Sequence, residues 1–101
     1  MRFILDVQMP MEPFNTMVKN GTAAQTIEKV MADIKPEAVY FCENNGSRGG
    51  FFVVDMPDAS HLPAIAEPLS LAFNASINSH VVMLPEDLAK SGLDEIGKKY
   101  S

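Results

Sequence analysis

A chain of 101 residues, 47% apolar and 21% charged, suffices for one small domain (1–101) and is too apolar for a disordered polymer. The net charge of −5 is spread without a basic run, which argues against nucleic acid as a partner, because phosphate recognition needs clustered Lys and Arg. Cys42 is alone, so no internal disulfide or paired-cysteine metal motif is available. No apolar stretch approaches the roughly 20 residues that cross a bilayer, so no membrane association and a cytoplasmic location are expected.

Met1-Arg2-Phe3-Ile4-Leu5-Asp6 begins like a signal peptide, but Asp6 interrupts the apolar run. Residues 2–8 alternate as a strand, with Phe3, Leu5 and Val7 on one face and Arg2, Ile4, Asp6 and Gln8 on the other. Pro10 and Pro13 end it and strand Met9, Met11 and Phe14 on a connection. A short helix from about Pro13 to Asn20 stops at Gly21, and Thr22-Ala23-Ala24-Gln25 fits a capping box opening the next helix. Ala23, Ile27, Val30, Met31 and Ile34 then form an apolar stripe that ends at Pro36.

Two runs rich in β-branched and aromatic residues flank Asn44-Asn45-Gly46-Ser47-Arg48-Gly49-Gly50, which reads as a hairpin with a loop longer than two residues. After a turn at Met56–Ser60, Leu62, Ile65, Ala66, Leu69, Ala72 and Phe73 form a second helical stripe. Pro68 should kink or break that helix near Glu67. Residues 76–84 read as a fourth strand, and Pro85-Glu86-Asp87-Leu88 opens a short helix with acids at its positive end. A last amphipathic turn carries Leu93, Ile96 and Tyr100 on one side. The sequons at Asn20, Asn45 and Asn74 are best explained as asparagines at turns and helix ends.

Strand, helix, strand, strand, helix, strand is the ferredoxin-like βαββαβ order, an α+β sandwich with two long helices on one face of a four-stranded antiparallel sheet. Short C-terminal helices follow. The other face stays bare unless the Met9–Phe14 connection or the C-terminal turns fold over it. A second copy packing sheet to sheet would cover it, so a homodimer or higher homo-oligomer is expected.

Glu12-Pro13-Phe14-Asn15, Lys35-Pro36-Glu37-Ala38-Val39-Tyr40-Phe41, Arg48-Gly49-Gly50, Glu67-Pro68-Leu69 and Pro85-Glu86-Asp87-Leu88 together resemble an uncharacterised group of small bacterial proteins within the dimeric α/β-barrel superfamily. The resemblance implies the dimeric α/β-barrel fold and carries no established activity. Members of that superfamily include quinone-forming and haem-degrading monooxygenases and muconolactone isomerases, which use a cavity between sheet and helices. The monooxygenases commonly employ tryptophan, and this sequence has none.

The polar candidates form three sets. Asp6, Gln8, Asn78 and His80 belong to the first and last strands, neighbours in this fold, where Asp6 across from His80 would orient a general base. The plainer reading is sheet polars at a wet interface. Tyr40, Cys42, Glu43 and Arg48 lie along the hairpin; Arg48 in a glycine-rich tip suits a carboxylate or phosphate, or is simply a solvated loop residue. Glu67 before Pro68, with Glu12 and Asn15, marks a pocket mouth or merely a bent helix.

His61 and His80 lack any two-ligand spacing, so no metal is expected, and no cofactor motif is present. The expected function is homodimeric binding of a small organic molecule between sheet and helices. Phe3, Phe41, Phe51, Met9 and Met11 would give apolar contact, and Tyr40, His80, Asp6, Gln8, Arg48 and Glu67 the polar anchors. His80, Asp6 and Glu43 are the candidate catalytic groups. The alternatives are a ligand-free oligomerisation or interaction module and a cofactor-free isomerase or monooxygenase-like enzyme. No motif assigns a reaction.

Overall fold

The computed structural model describes residues 1–101. Its strands are β1 (Arg2–Met9), β2 (Ala38–Asn44), β3 (Ser47–Asp55) and β4 (Ser76–Val82), all antiparallel, in the order β2-β3-β1-β4. Helices α1 (Phe14–Asn20) and α2 (Ala23–Ile34) follow β1, α3 (Leu62–Phe73) joins β3 to β4, and α4 (Pro85–Ala89) and α5 (Leu93–Lys99) end the chain. This is the ferredoxin-like α+β fold.

Central β1 decides the layering. Its side chains alternate without a fault: Phe3, Leu5, Val7 and Met9 are buried, while Arg2, Ile4, Asp6 and Gln8 are half-exposed on the other face. Phe52 and Val54 of β3 extend the buried face, and Val30, Ile34, Leu69 and Phe73 of α2 and α3 close it. Met56, just beyond β3, completes a core in which every buried side chain is apolar. Leu5 is wholly enclosed, and burying a leucine stabilises by about 1.5–3 kcal/mol.

Three local readings are corrected. The hairpin loop has only two residues, because Asn44 pairs with Ser47 and the φ angles of Asn45 and Gly46 are +53° and +79°. Positive φ at both positions gives a turn whose twist matches the strands, and Asn-Gly is the pair that adopts it most readily. The capping box at Thr22 does not form: the Thr22 hydroxyl donates instead to Asn20 Oδ1 at 2.6 Å, with the Thr22 N–H on the same oxygen at 3.1 Å. Finally, of the kink or break expected near Glu67 the break does not occur, because α3 runs through Pro68 to Phe73. Pro68 has no N–H for the carbonyl four residues back, that of Ala64, an exposed residue where water can take its place.

The asparagines of the three sequons do end elements. Asn20 receives Thr22, and Asn45 and Asn74 adopt left-handed backbone at a hairpin and at the end of α3.

Gly49 and Gly50, read above as part of a loop, are mid-strand and buried. A Cβ on Gly49 would stand 2.0 Å from the Val7 carbonyl oxygen, and one on Gly50 2.6 Å from that of Tyr40. Neither backbone neighbour can give way without breaking the sheet. Gly49→Ala should therefore lose at least ~2 kcal/mol in urea unfolding, in the range of strongly strained core substitutions. Gly97→Ala in α5, where an added Cβ meets nothing within 4 Å, should lose none. A Gly49→Ala variant as stable as the parent would refute the close approach.

Candidate functional site

A cavity of about 360 Å³ opens between sheet and helices at the hairpin end of the sheet. It is lined by Met9 at the end of β1, Phe14 of α1, Ile27 of α2, and Phe41, Cys42, Glu43, Arg48 and Gly49 of the hairpin. Sites for small organic ligands begin at about 300 Å³ and are mostly apolar with a few placed polar groups, and this one fits that description. Beneath it, among Val7, Met31, Phe52, Leu69 and Phe73, the free space falls to about 10 Å³, so the cavity has a packed floor.

The local sequence explains the walls. Glu43 and Arg48 are cross-strand partners two pairs from the turn, which sends both side chains to the helix side of the sheet. They do not bond to each other. Arg48 turns to α1, where its Nη1 donates to Asn15 Oδ1 at 2.6 Å and its guanidinium lies 5.0 Å from the centre of the Phe14 ring. Phe14 is in turn braced by Phe73 at 5.9 Å, and Phe41 meets Phe52 edge-on at 5.9 Å. The other guanidinium N–H groups have no partner within the chain, so a fixed cationic fork stands at the mouth of an apolar hole.

Glu12 holds the start of α1 in place. Its Oε2 accepts from Thr16 Oγ1 at 2.6 Å and Thr16 N–H at 3.2 Å, and these bonds, aided by Lys19 and Arg48, hold its carboxyl below the usual carboxylate range.

The remaining candidates are elsewhere. Asp6, Gln8, Tyr40 and His80 share the open face of the sheet and do not line the cavity. Directly across from Asp6 is Asn78, while His80 faces Ile4, two pairs further along the strands. Asp6 is engaged instead with Asn44 Nδ2, and Gln8 Nε2 donates to the Asn44 carbonyl at 2.9 Å. These two bonds cross β3 at Gly49, where no side chain stands in the way. Cys42 borders the cavity but alternates with Phe41 and Glu43 to the open face and is exposed, and Glu67 is exposed on α3 away from the cavity. Of the apolar candidates, Met9 and Phe41 line the cavity, Met11 borders a neighbouring hollow with Asn15 and Arg48, Phe3 is in the core, and Phe51 is on the open face.

Phe14 and Ile27 were not singled out from sequence as site residues. The signal for them was positional: Pro13 opens a helix directly after β1, at the level of the hairpin tip.

No family model and no curated protein matches the sequence. Among solved structures, the chain is similar to 5-chloro-2-hydroxyhydroquinone dehydrochlorinase (TftG) from Burkholderia phenoliruptrix AC1100, in its complex with 2,5-dihydroxybenzoquinone. The TM-score is 0.52 at 14% identity, over 85% of this chain and 97% of that one. The likeness is one of fold. No helix is long and apolar enough to cross a membrane.

The lowered pKa of Glu12 has a definite sign. A carboxyl titrating lower in the folded state contributes stability that is present at neutral pH and is lost as pH falls through that lowered value. The Thr16 amide resonance should follow this titration by NMR, with a midpoint below that of an ordinary glutamate. A midpoint at or above the ordinary value would mean that Thr16 does not hold this carboxylate.

Proposed function

We propose that this protein binds a small, largely apolar organic molecule bearing an anionic oxygen, held between sheet and helices, with a second copy covering the open sheet face. The observation that carries this reading is the Arg48 fork at the mouth of the cavity, oriented by Asn15 and Phe14 and with donors to spare. A flat ring would enter against Met9, Ile27 and Phe41, and its carboxylate or enolate oxygen would meet Arg48. The fold neighbour's complex with a dihydroxyquinone agrees in chemical class.

Asp6, Gln8, Tyr40 and His80 then belong to the covered sheet face, and Glu43 is the one carboxylate over the ligand. An isomerase-type or oxygenase-type reaction would use Glu43 to move the proton, because His80 faces away. The second reading, a ligand-free assembly module, draws on Tyr40 and Phe51, which stand 66% and 40% exposed on the open face.

Titration with 2,5-dihydroxybenzoquinone and with benzoate, followed by NMR, tests the proposal. Saturable shifts should gather at Phe14, Phe41 and Arg48. Arg48→Gln should weaken binding about tenfold, equivalent to about 1.4 kcal/mol, whereas His80→Ala should leave it unchanged. Shifts confined to Tyr40 and His80, or no saturation with either probe, would sink the cavity reading.

A further inference from the structure

We infer that the C-terminal arm, α4 and α5, packs on a second copy of this chain rather than on its own body. Every residue from Pro85 to Ser101 is exposed, including Leu88, Leu93, Ile96 and Tyr100 at 43%, 56%, 47% and 87%. The hydrogen bonds the arm makes are local, from Leu84 to Asp87 at its start to Ser101 and Lys98 at its end. It does not fold back over the open sheet, the cover considered above.

Three quantities favour a second copy as the occupant. The radius of gyration is 17.1 Å and the long axis 61 Å, whereas a compact chain of this length has a radius near 13 Å. The accessible surface is 6857 Å², against about 5,600 Å² for a compact monomer of this mass. The excess, about 1,200 Å², exceeds the roughly 800 Å² that each partner contributes to a standard stable interface. Helices of 5 and 7 residues are also far shorter than the ~12 residues at which an isolated helix becomes even marginal in water, so their stability must come from packing.

The stripe to be packed is defined. Leu93, Ile96 and Tyr100 recur at helical spacing, with Asp94, Glu95, Lys98 and Lys99 on the other side. Two-fold symmetry makes the exchange reciprocal, so each copy gives an arm and receives one.

The inference rests on the second copy of the proposed function and not on its ligand. Sedimentation velocity of the full chain and of a Leu93→Asp/Ile96→Asp variant tests it, together with lysine cross-linking of mixed light and 15N-labelled protein. Because these side chains are about half exposed and the arm's hydrogen bonds are local, the variant should keep its fold, which its circular dichroism checks. A wild-type dimer is expected, with a dissociation constant raised at least tenfold in the variant. Cross-links from Lys90, Lys98 or Lys99 to Lys19, Lys29 or Lys35 should join light to heavy chains. A dimer indifferent to the two substitutions, or arm-to-body cross-links only within one isotope, would overturn the exchange and leave the paired sheets standing. A wild-type monomer would overturn the exchange and the second copy together, without touching ligand binding at Arg48.

Discussion

The structure depends on the enclosure of one face of β1. Phe3, Leu5, Val7 and Met9 are pressed between two flanking strands and two helices, and this burial orients everything else. A strand's side-chain period is two, so hiding these four residues necessarily turns Asp6 and Gln8 to the opposite side. A shift of one residue would put both polar groups into the core, where burying even one unpaired carboxylate is prohibitive. The register is thus held by what it would cost to lose it.

From that constraint the two faces acquire different roles. On the helix side the packing is complete under α2 and α3 but stops short at the hairpin end, where the short α1 reaches the sheet through Phe14 and through Asn15, which bonds Arg48. The cavity is the space left there. On the open side polar and apolar residues are mixed, and the Asp6–Asn44–Gln8 bonds tie β1 to β2 across the gap over Gly49. Such a mixed surface suits contact with another protein surface better than it suits a ligand pocket.

The elements themselves were legible. Alternation in residues 2–8, the stripes Ile27–Ile34 and Leu62–Phe73, and the Pro and Gly stops are local patterns with local causes. The errors were also local, and each reflects a competition that a pattern does not weigh. The Thr22 hydroxyl donates back to Asn20 instead of accepting from the first turn of α2; the Asn-Gly pair closed a tighter turn than the surrounding glycines suggested; Pro68 removed a single hydrogen bond from a helix whose burial of Leu69 and Phe73 outweighs it.

The candidate site was legible only in part, for a geometric reason. From the sequence alone came the ferredoxin-like order, the faces of β1, and Arg48 as an anion-binding candidate, since these follow from spacing along one strand or one hairpin. Which residues meet between elements depended on tertiary structure. Register alone set Asp6 across from Asn78 rather than His80, and the placement of α1 alone brought Phe14 and Asn15 to Arg48. Likewise, the apolar side of the last turns was plain in the sequence, but only the fold left it without a partner in its own chain. Periodicity says which side chains a segment must hide; it does not say against what, because that is set by contacts between residues far apart in the chain.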